Sequence, residues 1–163
     1  MSVELNRIDD RLIHGQVVLG WGQPMALARI AVVDDTIAAS PWEQDLYRMA
    51  VPPEIEVAFL AVDDAVRAYA SWQADARPAI VLTGTVDAMC RLAEGAPALR
   101  AVNLGGVHQG PGRVERLRYL FLTPAEERAL LALEARGVAV TAQDVPTAAP
   151  VPLRELLAGR GAA

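Results

Sequence analysis

Short β-rich apolar runs, several of them nearly continuous, alternate along this chain with helical stretches. The runs are Val3–Ile8, Ile30–Asp34, Ile55–Ala61, Ala79–Thr83, Ala101–Leu104, Tyr119–Leu122 and Val138–Ala142. They are built mainly from Val, Ile, Ala and Leu, as strands covered on both faces should be. Helical segments lie between them, at Gly15–Gly22, Pro41–Met49, Asp63–Trp72 and Val86–Ala93. Ser40 is placed to cap the second, with Pro41 at its first helical position. Thr123, Pro124 and Glu126 read as a cap, a first-turn proline and a capping-box acid. The helix that follows carries Leu130, Leu131 and Leu133 on its apolar face and stops at Gly137. Pro146–Pro152 reads as a surface connection to a last helix, Leu153–Leu157. Strand–helix alternation of this kind predicts an α/β fold: a single open, twisted, mostly parallel sheet of about six to seven strands with helices on both faces.

With 163 residues, the chain fits one domain, expected over 1–158, with a frayed tail over 159–163. A hydrophobic share of 53% is enough for a substantial core, while the net charge of -5 argues against nucleic-acid binding and against adsorption to anionic lipid. All 15 basic residues are Arg, so neither a Schiff-base lysine nor a phosphate-loop lysine exists. The single cysteine, Cys90, excludes an intramolecular disulfide and reads as a buried small apolar residue. No basic stretch followed by an apolar run opens the sequence, and no apolar stretch approaches the ~20 residues of a membrane-spanning helix. The expectation is a cytoplasmic protein without direct membrane insertion. Two His, one Cys and scattered carboxylates assemble no metal set, and no cofactor is expected.

The informative segment runs from Arg7 to Val18, at the carboxyl end of the first strand, the edge where open parallel sheets bind ligands. It gathers two Asp, two Arg and one His ahead of an apolar helical run. His14 stands at the helix start, where unpaired N–H groups favour an anion. Arg11 can donate two parallel hydrogen bonds to phosphate oxygens, and Arg7 can do the same from the strand end. Gly15 would let the backbone approach an anion closely. A neutral imidazole is a competent nucleophile, and its orientation depends on what holds its other nitrogen: Asp10, Asp9 or a backbone carbonyl.

The run Arg7-Ile8-Asp9-Asp10-Arg11-Leu12-Ile13-His14-Gly15-Gln16-Val17 resembles the active-site signature of the enzyme IIB components of the bacterial phosphoenolpyruvate-dependent sugar phosphotransferase system, mannose/fructose/sorbose family. Val102-Asn103-Leu104-Gly105-Gly106 is similar to that family's Asn-x-Gly-Gly loop, and Leu117–Thr123, Arg136-Gly137-Val138 and Gln143-Asp144-Val145-Pro146 resemble its later elements. The resemblance implies an open α/β sheet with a phosphorylated histidine, His14, in the first strand–helix loop. It implies a phosphoryl donor, enzyme IIA, and a sugar acceptor bound by membrane enzymes IIC and IID, with this chain peripheral to that transporter. It further implies that Arg11 steadies the phosphoryl group and that Asp10 positions the loop.

Secondary candidates stay open between two readings. Gly105 and Gly106 either bring backbone amides to a phosphate or form a turn that needs positive φ. Thr83 ends a central strand on the same edge; the Thr83-Gly84-Thr85 turn either touches the phosphoryl group or caps the next helix. Arg7, Gly15, Gln16, Thr83, Gly105 and Gly106 are grouped as phosphate-binding or loop-positioning residues. His108 is either a second proton carrier or an ordinary loop residue. Trp21 is expected to anchor the first helix. A regulatory protein that accepts phosphate but passes nothing to a sugar is the alternative function, and a hydrolase of small phosphate esters a third.

Overall fold

The computed structural model describes residues 2–160. A seven-stranded sheet has the order β3-β2-β4-β1-β5-β8-β9. Its strands are β1 Val3–Ile8, β2 Arg29–Val33, β3 Glu56–Leu60, β4 Ala79–Thr83, β5 Ala101–Leu104, β8 Ala139–Ala142 and β9 Val151–Pro152. Every pairing in it is parallel except β8 with β9. The α-helices are α1 Asp35–Ala38, α2 Pro41–Arg48, α3 Val62–Ala74, α4 Val86–Gly95, α5 Pro124–Ala135 and α6 Leu153–Glu155. Wider, π-helical turns form Gln16–Trp21 and Leu156–Arg160.

Strand alternation sorts the apolar side chains onto two cores. In β2, Ile30 and Val32 face one core while Ala31 and Val33 face the other; in β4, Ile80 and Leu82 oppose Val81. The first core is roofed by Val17, Val18 and Trp21 of the first helix, by Ile37 of α1 and by Tyr47 of α2. Residues from α3, α4, α5 and α6 cover the other, Tyr69, Met89, Leu92, Leu130 and Leu153 among them. Neighbouring strands β1 and β4 therefore send their chains to opposite faces. That divergence opens a crevice at the carboxyl edge beside β1.

Several sequence expectations need correction. Tyr119–Leu122 does not enter the main sheet. Its strand, β7 Leu120–Leu122, pairs antiparallel with β6 Val114–Leu117 in a separate hairpin, tied to the rest by a bridge from Leu120 to Val107. A parallel neighbour of β5 needs a crossover helix, which the segment after Leu104 lacks, whereas an antiparallel pair needs only a tight turn. The seventh strand comes instead from the supposed surface connection, where Val151–Pro152 lines the edge of β8. Leu131 is exposed, leaving Leu130 and Leu133 as the buried residues of α5. Ser40 occupies its N-cap position without a side-chain cap bond, while Thr123 and Glu126 form the complete capping box. The last helical segment continues to Arg160, and residues 161–163 of the expected frayed tail lie outside the described residues.

Candidate active site

β1 delivers Arg7 and Asp9, two positions apart, to the same side of the strand end. Both are fully buried. The Arg7 guanidinium donates to Asp9 Oδ2 (3.3 Å), to Asn103 Oδ1 and to the carbonyls of Gln143 (2.9 Å) and Asp144 (3.1 Å). Its Cζ lies 5.1 Å from the centre of the Trp21 ring, whose Nε1 also donates to the Asp144 carbonyl. Burial pulls the Arg7 pKa below its ordinary value, opposed by the Asp9 charge. Arg7 is thus an internal fastener of the strand ends, its guanidinium buried among the groups it holds in place.

Asp9 is the hub. Its Oδ1 accepts from the Arg11 N–H (3.1 Å) and lies 3.6 Å from Arg11 Nε, while Oδ2 meets both Arg7 and His14 Nε2, the latter at 3.0 Å. The Leu12 N–H closes the turn onto the Asp9 carbonyl at 2.9 Å. To make that turn Leu12 adopts φ +56°, a left-handed conformation costing an L residue about 1–2 kcal/mol. Burial of Leu12 and Ile13 in the first core holds the strained loop down. The chain then rises, and His14 stands half-buried with its carbonyl starting the first helix.

An ionised carboxylate only accepts, so the Asp9 bond places the ring proton of His14 on Nε2 and the lone pair on Nδ1. Arg11 is largely exposed, with Nη2 donating to Gln16 Oε1 at 3.0 Å. Gly15 is in ordinary helical conformation, with nothing within 4 Å of where a Cβ would lie. Its backbone does not require glycine; the space beside it is open.

Asp10, expected from the resemblance to position the loop, directs its carboxylate to His108. Its Oδ1 and Oδ2 meet His108 Nδ1 (2.7 Å) and His108 N (2.8 Å), and its own N–H donates to the Gly106 carbonyl at 2.8 Å. It fastens the glycine loop to the His14 loop. Gly105 presents no amide to a ligand, because its N–H donates to the Ile8 carbonyl at 2.7 Å. Neither Gly105 nor Gly106 has positive φ; the left-handed glycines are Gly112 and Gly137. Gly105 is small because Arg7 packs against it. A Cβ on Gly106 would lie 3.6 Å from Asp9 Oδ1 and 3.8 Å from Arg11 Nη2. Thr83 is buried with its hydroxyl on the Thr85 carbonyl, and Thr85 caps α4, so neither hydroxyl is directed to a ligand.

Sequence reasoning named Asp9 as one of three possible ring holders and did not single out Asn103. The spacing Arg7-x-Asp9 at a strand end, one cation and one carboxylate on the same side, was the available signal. No group of His, Cys, Asp and Glu suited to a metal occurs among the described residues, and none of their helices is long and apolar enough to cross a membrane.

The sequence pattern of the PTS system sorbose subfamily IIB component matches residues 3–162. The mannose-specific EIIAB component of the PTS system of Escherichia coli (strain K12) is 30% identical over 158 residues, which are 96% of this chain and 49% of that protein. This chain therefore spans about half the length of that relative. The sorbose-specific EIIB component of Klebsiella pneumoniae is 30% identical over 139 residues, 85% of this chain and 84% of that protein. The crystal structure of manxB from Thermoanaerobacter tengcongensis superposes with a TM-score of 0.88 at 29% identity, covering 98% of this chain and 96% of that one. The IIBSor domain of the sorbose permease from Klebsiella pneumoniae gives 0.86 at 26% identity, with 96% of each chain covered. A match running from residue 3 to residue 162, on an open parallel sheet of the same architecture, means that this chain belongs to the sorbose-subfamily IIB components of the phosphotransferase system.

Proposed function

We propose that this chain is a cytoplasmic phosphocarrier whose His14 accepts a phosphoryl group at Nδ1 from the phosphohistidine of an enzyme IIA. It then passes the group to a sugar during uptake through the membrane enzymes IIC and IID, with which it associates peripherally. The observation that carries this reading is the 3.0 Å contact between His14 Nε2 and the buried Asp9 carboxylate. It fixes the ring, leaves the Nδ1 lone pair for attack, and supplies negative charge beside the imidazolium character that forms as phosphorus bonds to Nδ1. The P–N bond to the donor histidine breaks as the new one forms, and its electron pair returns to the donor ring. Phosphoryl transfer through a loose transition state asks chiefly for positioning and positive charge. Arg11, oriented by Asp9 and Gln16, supplies the charge beside the loop. The open space at Gly15 leaves room for an incoming phosphorylated surface.

The test is incubation with phosphorylated enzyme IIA. One acid-labile phosphate per chain is expected on the wild type and none on His14→Ala. Equal uptake by the His14→Ala protein would overturn the proposal.

A further inference from the structure

The rim carries two carboxylate–imidazole pairs on consecutive residues. Asp9 holds His14, and Asp10 holds His108. Two histidines are all the sequence contains, and both are held in this way. His108 is fixed twice by one carboxylate, through Nδ1 (2.7 Å) and through its own backbone N–H (2.8 Å), while Arg113 Nη1 donates to its carbonyl at 2.9 Å. Its side chain is nonetheless 69% exposed. A side-chain contact this exposed contributes little to stability, and the backbone bond to Asp10 already fastens the loop, so stability does not account for the second hold on the ring. With Nδ1 held by Asp10, Nε2 is the ring nitrogen left to take a proton. Gly106 joins the two pairs, since its carbonyl accepts from the Asp10 N–H and a Cβ on it would lie within 4 Å of Asp9 Oδ1 and Arg11 Nη2.

The proposed reaction moves a proton in only one of its two steps. Between two histidines, the phosphoryl group exchanges one ring nitrogen for another and no proton need shift. From phospho-His14 to a sugar, the attacking hydroxyl must lose its proton. Asp9 and Asp10 already have their oxygens engaged by the two rings. We infer that His108 is the general base of the second transfer, taking the sugar hydroxyl proton on Nε2; the inference rests on the phosphocarrier reading above. The sugar oxygen bonds to phosphorus, the P–Nδ1 bond of His14 breaks with its electron pair returning to the ring, and the hydroxyl proton passes to His108 Nε2 and then to solvent. Asp10 keeps the Nδ1 proton and balances the imidazolium. The charged groups around His108 are Asp10 from the first loop and Arg113, itself paired with Glu126 of α5.

The experiment separates charging from discharge. Wild-type, His108→Ala and His108→Gln proteins are charged with phospho-enzyme IIA. They are then chased with membranes holding the matching IIC and IID chains and with mannose, fructose, sorbose or N-acetylgalactosamine, the sugars named by the relatives. The Ala variant keeps the backbone bond to Asp10, so the loop stays fastened. Charging at the wild-type level is expected for both variants, with discharge about 100-fold slower and the rise of discharge rate with pH abolished. Discharge of His108→Ala at the wild-type rate overturns the inference and leaves the phosphocarrier reading standing. Restoration by Gln, which hydrogen-bonds but takes no proton, or loss of charging from enzyme IIA, assigns His108 to positioning or to the donor step and also overturns it. A wild-type protein that does not charge on His14, or discharges to no sugar, removes the phosphocarrier reading and this inference with it.

Discussion

A Cβ built on Gly105 would fall 2.4 Å from Arg7 Cζ, so the guanidinium occupies the space that any side chain at that position would need. The glycine loop and the end of β1 are thereby packed into one unit, and the carboxylate that orients His14 is held from beneath by the same guanidinium. Gly105→Ala must displace Arg7 or the strand end. A loss of about 1–3 kcal/mol is expected from such overpacking, measured by urea unfolding. Gly15→Ala is the counterpart. Its backbone is helical and its surroundings are empty, so stability should hold or rise by about 0.4–1 kcal/mol. Any loss of phosphate uptake by Gly15→Ala then reports on clearance for the incoming group.

Replacing Asp9 by Asn keeps the shape of the hub and removes its charge. The buried Arg7 guanidinium loses its carboxylate, and truncating one member of a buried pair typically costs about 3–5 kcal/mol. The His14 ring also loses its acceptor-only partner, and with it the selection of Nε2 as the protonated nitrogen. Phosphate uptake from phospho-enzyme IIA should slow at least about 10-fold under conditions where the variant remains folded. Uptake at the wild-type rate would contradict the assigned hub role.

Arg11 makes the opposite case. It is exposed and its partners, Asp9 and Gln16, keep other contacts or solvent, so Arg11→Ala should change stability by no more than about 0.5 kcal/mol. Its charging rate should nevertheless fall about 10- to 100-fold, and Arg11→Lys should restore only part, because an ammonium cannot reproduce the forked donors. Rapid-quench measurement of phosphate on His14 checks both.

Burial pushes the Cys90 thiol up to about 11 from an ordinary 9.0. The folded protein then holds this proton to higher pH than the unfolded chain does. The stabilisation is fully present below pH 9 and lost as pH rises through about 11. Tyr119, pushed up to about 12 chiefly by burial, extends the loss beyond pH 10. Urea midpoints should therefore fall across this alkaline window, and Cys90→Ala should flatten the portion between about pH 9 and 11. Alkylation at pH 8 should require unfolding, since the native thiol is both buried and protonated.

What the chain could declare by itself was local. Continuous Val, Ile and Leu runs declared buried strands, because a strand covered on both faces needs apolar residues at every position. Thr123, Pro124 and Glu126 declared a helix start, because a capping box closes within four residues. The Arg7–Val17 run declared a polar loop at a strand end, with His14 before a helix. Pairings set by distance in space were not readable. Tyr119–Leu122 has strand composition, yet composition does not say which strand it meets. Val151–Pro152 reads as a loop and becomes an edge strand only because β8 offers it a free ladder.

The division within the site has the same cause. The sequence supplied the residue types at positions 7 to 16. It could not say which carboxylate reaches the His14 ring, because Asp9 and Asp10 are adjacent and identical in chemistry. The strand end decides: successive residues face different ways, so Asp9 turns toward Arg7 and His14, and Asp10 toward His108. The burial that makes Arg7 a brace depends on Trp21, Asn103 and the carbonyls of Gln143 and Asp144. Those groups lie up to 137 positions away along the chain, and only folding brings them within reach.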